Sequence, residues 1–292
     1  MIELIDVKKS YGKEPVLRGV CAKIPTGCVF GLVGVNGAGK STLLRLMAGV
    51  LRADSGSILY DGEEVFENTA RKRDIFFLPD EPYYASGTTG AQLCALYKSF
   101  YAGFDENVFH SRCTLFGLNG NAPLRNFSKG MKRQMFLSAA LACRPKYLLL
   151  DEAFDGLDPG ARLECKRALI DLCGSGCTTV IASHSLRELS DICTNFTLIG
   201  KGEAAKGGDL ESALASVHKF QAAFEREIER EQLPFDCIKF ERQGRLVTFI
   251  ARGDGEEIGR KLAELSPLFV EEIPVDFEEY FLIETERGRN GK

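Results

Sequence analysis

The stretch Gly34–Thr42, Gly-Val-Asn-Gly-Ala-Gly-Lys-Ser-Thr, constrains this chain more than any other. It lies between Val29–Val33, a short apolar run that reads as a buried strand, and Leu43–Ala48, a Leu- and Met-rich run that reads as a helix. Strand, glycine loop, Lys-Ser and helix together form the context that a P-loop requires. Gly34, Gly37 and Gly39 let the backbone turn tightly and aim successive amides inward as an anion cradle, and the helix that follows adds its positive N-terminal end. Lys40 is expected to reach β- and γ-phosphates, and the Ser41 hydroxyl to ligate Mg²⁺. Gly34, Asn36, Gly37, Ala38, Gly39, Lys40, Ser41 and Thr42 are therefore the expected nucleotide-binding residues. A glycine-rich turn that binds nothing would not need the full pattern with both flanks, so a nucleoside triphosphate is the expected ligand.

Around this loop the chain alternates between strand-like and helix-like runs. Residues 1–33 hold short alternating segments punctuated by Gly12, Gly19, Pro25 and Gly27, which predict a small antiparallel sheet leading into the P-loop strand. Tyr11, in a turn-like Ser-Tyr-Gly, is either an exposed turn residue or an aromatic face on which a base stacks. Asp61-Gly62 predicts a hairpin, Ile75–Leu78 a buried strand ending at Pro79-Asp80, and 89–142 a helical stretch. Tyr147–Leu150 and Thr178–Ser183 are further buried strands, with an amphipathic helix over Arg162–Cys173 between them and a strand at Phe196–Ile199 after them. This alternation implies a mainly parallel sheet with helices on both faces. Gly200–Gly208 reads as a strand end and turn. Beyond it, Leu214–Gln232 is expected to be an amphipathic helix, followed by a hairpin around Gln243-Gly244, a helix at Glu256–Leu265, a strand at Leu268–Ile273 and a closing helix at Phe277–Ile283.

Composition narrows the class. With 292 residues, 45% hydrophobic and 27% charged, the chain suits one large or two modest globular domains. Its net charge of −4 argues against a polyanion-binding protein, so no nucleic-acid partner is expected. Residues 209–292 carry 12 Lys and Arg against 19 Asp and Glu, whereas the preceding part carries 25 against 22. Between Glu106 and Asp151 there are seven basic residues and no acidic one, either an uncommitted basic face or a surface that meets phosphate. The ten cysteines form no Cys-x-x-Cys and the three histidines are scattered, so neither a disulfide framework nor a metal-ligand spacing is present. Cys21, Cys143 and Cys193 read as small core fillers, and reduced thiols point to the cytoplasm. The first residues, Met1-Ile-Glu-Leu-Ile-Asp, show no signal-peptide pattern, and no apolar run approaches the ~20 residues that span a bilayer.

Two further pieces fix the chemistry. The run Tyr147–Leu150 ends in Asp151-Glu152, which places two carboxylates at the C-terminal edge of a central strand, where α/β sheets bind ligands. Asp151 is expected to hold Mg²⁺, and Glu152 to polarise the attacking water as a general base. Asn126-Phe-Ser-Lys-Gly-Met-Lys-Arg-Gln puts Ser128 and Gly130 at a helix start, where free amides favour phosphate, and Ser128 precedes Asp151 by 23 residues.

In this combination and order, residues 1 to about 210 resemble the ATP-binding subunits of ABC transporters. Carried over residue by residue, Tyr11 resembles the adenine-stacking aromatic and Gly34–Thr42 the Walker A motif. Phe127–Met131 resembles the signature motif, Leu148–Asp151 Walker B, Glu152 the catalytic glutamate, Gly156-Leu157-Asp158 the D-loop, and His184 the switch histidine that contacts the γ-phosphate. Two positions depart from the pattern. Asp80 stands where the family has a glutamine and is expected to ligate or approach Mg²⁺ in its place, although an Asp at such a turn also caps its own backbone. Lys129 and Met131 replace commoner glycine and glutamine. Both departures, and the small C-terminal appendage, are similar to the export-type branch associated with drug, antibiotic and peptide efflux.

The resemblance implies an α/β P-loop cassette over residues 1–210, with a mixed sheet core, an antiparallel β subdomain and a helical insert at about 85–140, and a small α+β accessory domain over 211–292. It implies ATP and Mg²⁺ as cofactors. A second cassette would pair head to tail, so that each ATP lies between Walker A of one chain and the signature of the other. A transmembrane permease subunit would dock on the helices around Ala91–Phe116, near Asp80, holding the cassette peripherally on the inner face of the cell membrane. The rival readings are a nucleotide-sensing regulatory subunit with little hydrolysis, which Glu152 and His184 argue against, and a soluble non-transport cassette, which generally needs tandem cassettes or a long coiled-coil insertion.

Overall fold

The computed structural model describes residues 1–290. The chain divides into two compact units, Met1–Gly207 and Gly208–Lys292.

The first unit begins with β1 (Ile2–Tyr11) and β2 (Glu14–Ile24), an antiparallel pair in register from Ile2↔Ile24 to Tyr11↔Glu14. Then come β3 (Val29–Val33), α1 (Lys40–Met47), β4 (Ser55–Tyr60), β5 (Glu63–Glu64), α2 (Thr69–Lys72) and β6 (Ile75–Leu78). β4 lies on the free edge of β1, with Ile2 opposite Tyr60, and completes an antiparallel sheet in the order β2-β1-β4-β5. Three helices follow: α3 (Gly90–Phe100), α4 (Glu106–Leu115) and α5 (Lys129–Cys143), capped by the side chains of Thr89, Asp105 and Ser128. β7 (Tyr147–Asp151), α6 (Pro159–Gly174), β8 (Thr178–Ser183), α7 (Leu186–Ser190), β9 (Asn195–Gly200) and β10 (Glu203–Asp209) complete the unit.

The second sheet has the strand order β10-β9-β3-β8-β7-β6, and the pairings of β9, β3, β8, β7 and β6 are all parallel. β3, β7 and β8 are buried at every residue, as a parallel strand covered on both faces must be. Leu43, Leu44, Leu46 and Met47 of α1 belong to one hydrophobic cluster with Ile2, Leu4, Leu17 and Val20 of the antiparallel sheet and Phe30, Leu149 and Val180 of the parallel one. The helix that leaves the glycine loop is thus wedged by its apolar face against residues of both sheets. Its far end is pinned by Tyr60, which is buried and donates its hydroxyl to the Met47 carbonyl at 2.9 Å. Tyr60→Phe leaves that carbonyl without this donor, and is expected to destabilise the first unit by about 1–2 kcal/mol, read as a lower urea midpoint at unchanged slope.

The second unit contains α8 (Leu210–Leu214), β11 (Val217–Ala223), β12 (Cys237–Gln243), β13 (Leu246–Arg252), α9 (Gly255–Ala263), β14 (Phe269–Ile273) and α10 (Phe277–Asn290). Its antiparallel sheet runs β12-β13-β11-β14. The helix expected over Leu214–Gln232 is absent: the chain there forms β11 and, after a loop, one 3-10 turn at Arg230–Gln232. The Glu- and Arg-rich run that favours helix is residues 225–231, after the strand, whereas β11 itself is a central strand, paired with β13 along Val217–Ala223 and with β14 along Lys219–Ala223. That pairing buries Phe220 and Ala222 beside Phe249, and tertiary burial outweighs propensity. Gly200–Gly208 likewise carries more order than expected. The chain turns at Lys201-Gly202 and returns as the edge strand β10.

All ten cysteines are free; Cys143 and Cys193 are buried as expected, but Cys21 is exposed, on an outward position of β2. No helix among the described residues is long and apolar enough to cross a membrane.

Candidate functional site

The C-terminal ends of four adjacent parallel strands define one edge of the larger sheet. β3 ends into the glycine loop, β8 at Ser183, β7 at Asp151 and β6 at Leu78, with Asp80 two residues on. The order of the strands therefore collects the sequence-distant motifs along one edge.

At the centre, Gly39 occupies φ 102 as the N-cap of α1, a conformation that side chains with a Cβ rarely adopt. A Cβ there would also lie 2.7 Å from the Leu17 side chain, so the β1–β2 hairpin that carries Tyr11 packs against the loop. Tyr11 itself ends β1 and is 48% exposed. Lys40 is the first residue of α1 and is buried; its ammonium donates to the carbonyls of Gly34 at 2.6 Å and Val35 at 3.3 Å. Burial pulls its pKa down, while the negative charges of Glu152 and Asp151 oppose that shift. The cation is thus aimed along the loop, in the field of the two carboxylates on β7 and just beyond it.

Asp151 is 2% exposed and its Oδ1 has no hydrogen-bond partner. Burial pushes its carboxyl upward, and a hydrogen bond from the Ser41 side chain pulls it back. A buried carboxylate oxygen left unpaired beside a hydroxyl is a costly arrangement in isolation, and it is a set of hard oxygen donors suited to Mg²⁺. Among the described residues no group of three or more His, Cys, Asp and Glu could hold a metal.

Glu152 follows in the left-handed region, φ 48, unusual for a residue other than glycine. Its amide donates to the Ala182 carbonyl on β8 at 2.9 Å. This turn brings its carboxylate to His184, with Oε2 2.9 Å from Nδ1, and to Ser183, whose hydroxyl donates to the same oxygen at 3.3 Å. Ser183 also reaches Glu188 at 3.5 Å, and Glu188 lies 3.6 Å from the Arg162 guanidinium, which donates to the Leu157 carbonyl at 3.3 Å. Ser183, Glu188 and Arg162 were not marked by the sequence motifs. The signal available was the serine closing a buried strand immediately before His184.

The second cluster surrounds the start of α5. The Ser128 hydroxyl accepts from the Met131 amide at 3.2 Å. A Cβ on Gly130 would sit 2.4 Å from the Gly156 carbonyl, so only glycine lets the helix start approach the loop after Glu152 this closely. Lys129 pairs with Asp155 at 2.5 Å, which raises the lysine and lowers the aspartate. Asp80 has a partner that the motifs did not mark: its Oδ1 lies 2.6 Å from Nη2 of the buried Arg133. In this structure the carboxylate is paired with an arginine.

The basic run between Glu106 and Asp151 is largely committed as well. Lys129, Arg133, Arg144 and Lys146 pair with Asp155, Asp80, Asp105 and Asp61, all outside the run, and Lys132 lies over the Tyr84 ring. Five of the seven basic side chains of this segment are thus engaged by other side chains.

A family model described as ABC transporter matches residues 17–155. The chain is 30% identical over 283 residues to the ABC transporter ATP-binding protein YtrB of Bacillus subtilis (strain 168), a match covering 97% of each chain. It is 31% identical over 230 residues to the lantibiotic transport ATP-binding protein SrtF of Streptococcus pyogenes, covering 77% of this chain and 99% of that one. A solved structure of an ATP-binding subunit of an ABC transporter superposes with a TM-score of 0.67 at 25% identity, over 73% of this chain and 91% of the other.

Proposed function

Since the chain belongs to the ABC transporter family as an ATP-binding subunit, we propose that two such cassettes close on ATP at the Lys40–Asp151–Glu152 site and reopen on hydrolysis, driving export through a separate transmembrane subunit. The observation that carries this is the grouping of a phosphate cradle, an unpaired buried carboxylate oxygen and a glutamate–histidine pair on one strand edge.

Each side chain then has a task. Lys40 meets the β- and γ-phosphates, with Ser41 and Asp151 as the residues that would hold Mg²⁺, whose charge offsets that of the triphosphate. Glu152 accepts a proton from the attacking water as its oxygen adds to the γ-phosphorus and the bond to the β-phosphate oxygen breaks. His184, hydrogen-bonded to the same carboxylate, fixes the direction of Glu152 and lies on the γ-phosphate side. Ser183 supplies a further donor to that carboxylate. Tyr11, on the hairpin beside the loop, stacks the adenine. Ser128 and Gly130, at the start of α5, face the triphosphate held by the partner cassette. ATP then bridges two chains, and its loss releases them.

The transport reading is supported by the likeness to a lantibiotic transport ATP-binding protein, and export is the direction we propose for it. In this reading the cassette reaches the membrane through its permease, on the inner face. The test is recovery of the tagged full-length chain from a mild-detergent extract of its native membranes. A co-purifying polypeptide with several spans of ~20 apolar residues is expected. A chain found wholly in the membrane-free supernatant would contradict the transport reading.

A further inference from the structure

Arg133 is a long cation with only 3% of its surface exposed, on α5 five residues after Ser128. Its guanidinium spans three pieces of backbone and one carboxylate. Nη1 donates to the Pro79 carbonyl at 3.1 Å and the Asp151 carbonyl at 3.4 Å. Nη2 donates to the Asp80 carbonyl at 2.7 Å and its carboxylate at 2.6 Å. A buried charge persists only when it is paired and its donors are used, and Asp80 supplies the counter-charge. One planar group therefore ties the ends of β6 and β7 to the helix that starts at Ser128.

The Asp151 carbonyl belongs to the peptide that joins Asp151 to Glu152. That peptide is held on both sides: its oxygen by Arg133, and its N–H, on Glu152, by the Ala182 carbonyl at 2.9 Å. The residue that follows the peptide plane is in the left-handed region, where a non-glycine residue stays only when its surroundings hold it. The left-handed turn is also what sets Glu152 against His184 and Ser183.

We propose that Arg133, anchored by Asp80, is a positioning residue for hydrolysis: it fixes the Asp151–Glu152 peptide and so the direction of the Glu152 carboxylate, and it links that direction to the helix bearing Ser128. Asp80 serves as the arginine's anchor. The inference rests on the reading of Glu152 as general base. Nothing in it requires Arg133 to touch nucleotide. A lysine at 133 keeps the charge for Asp80 but lacks the fork that engages Asp80 and the two further carbonyls together.

The test compares the full-length wild type, Arg133→Lys and Asp80→Asn by steady-state ATP turnover, by calorimetric ATP binding without Mg²⁺, and by thermal unfolding. Arg133→Lys should lose about 10- to 100-fold in kcat, the scale of a misplacement near 1 Å, while the KM and the Kd for ATP stay within about twofold. Asp80→Asn keeps an oxygen for the guanidinium; it should lose less in kcat and leave the Mg²⁺ concentration for half-maximal rate unchanged. Wild-type kcat in a folded Arg133→Lys protein, or a loss confined to ATP affinity, overturns the positioning role. A shifted Mg²⁺ midpoint in Asp80→Asn overturns the anchor assignment and returns Asp80 to the metal. Wild-type turnover in Glu152→Gln overturns the general-base reading itself, and the inference with it.

Discussion

Glu152→Gln is expected to lower ATP turnover by about 10²- to 10⁴-fold while leaving ATP binding intact. The amide is nearly isosteric with the carboxylate, so the left-handed turn at residue 152 and the hydrogen bond from Ser183 survive, but the group no longer takes a proton from water. With binding retained and hydrolysis blocked, the closed ATP-bound pair accumulates. Gel filtration in Mg-ATP should show a dimer at concentrations where the wild type cycles. Turnover at the wild-type rate would remove Glu152 from the role of base. A variant that stays monomeric with ATP bound would separate hydrolysis from closure.

Lys40→Ala is expected to raise the Kd for ATP by about 10- to 100-fold, the loss of charge-assisted hydrogen bonds to the terminal phosphates. The fold should persist. The side chain's contacts are the Gly34 and Val35 carbonyls at the mouth of the loop, while α1 is held by Leu43, Leu44, Leu46 and Met47 and by Tyr60 at its far end. Calorimetric titration checks the affinity, and thermal unfolding checks the fold. Equal affinities in variant and wild type would contradict the assignment of the phosphate site.

The parts of the molecule legible in the sequence share one physical cause, that local pattern and tertiary burial agree. Val29–Val33, Tyr147–Leu150 and Thr178–Ser183 are unbroken buried runs, and a parallel strand covered on both faces has no other pattern to show. The glycine loop was legible because positive φ at Gly37 and Gly39 leaves few alternatives to glycine. Where the two levels disagreed, the sequence misled. β11 directly precedes the helix-favouring Glu- and Arg-rich run at 225–231 but is made a strand by two flanking partners that lie far along the chain.

The partner of a charged side chain was equally hidden. Asp80 was recognised as a departure from the family pattern, but its partner Arg133 lies 53 residues away. Lys129 is bound to Asp155, 26 residues on. Ser183, Glu188 and Arg162 belong to no motif and come to Glu152 only through the packing of α6 and α7 beside β8. Motif spacing marks the groups proposed to act on the triphosphate. The groups that aim them are set by contacts between distant segments.

The central claim is that hydrolysis needs the strand-edge site of one cassette and the Ser128 end of α5 from another. Its most direct measurement is phosphate release per chain as a function of chain concentration, at saturating Mg-ATP. Specific activity is expected to rise with concentration as pairs form, and Glu152→Gln to abolish it. A specific activity that stays flat across dilution, from a chain shown to be monomeric throughout, would contradict it.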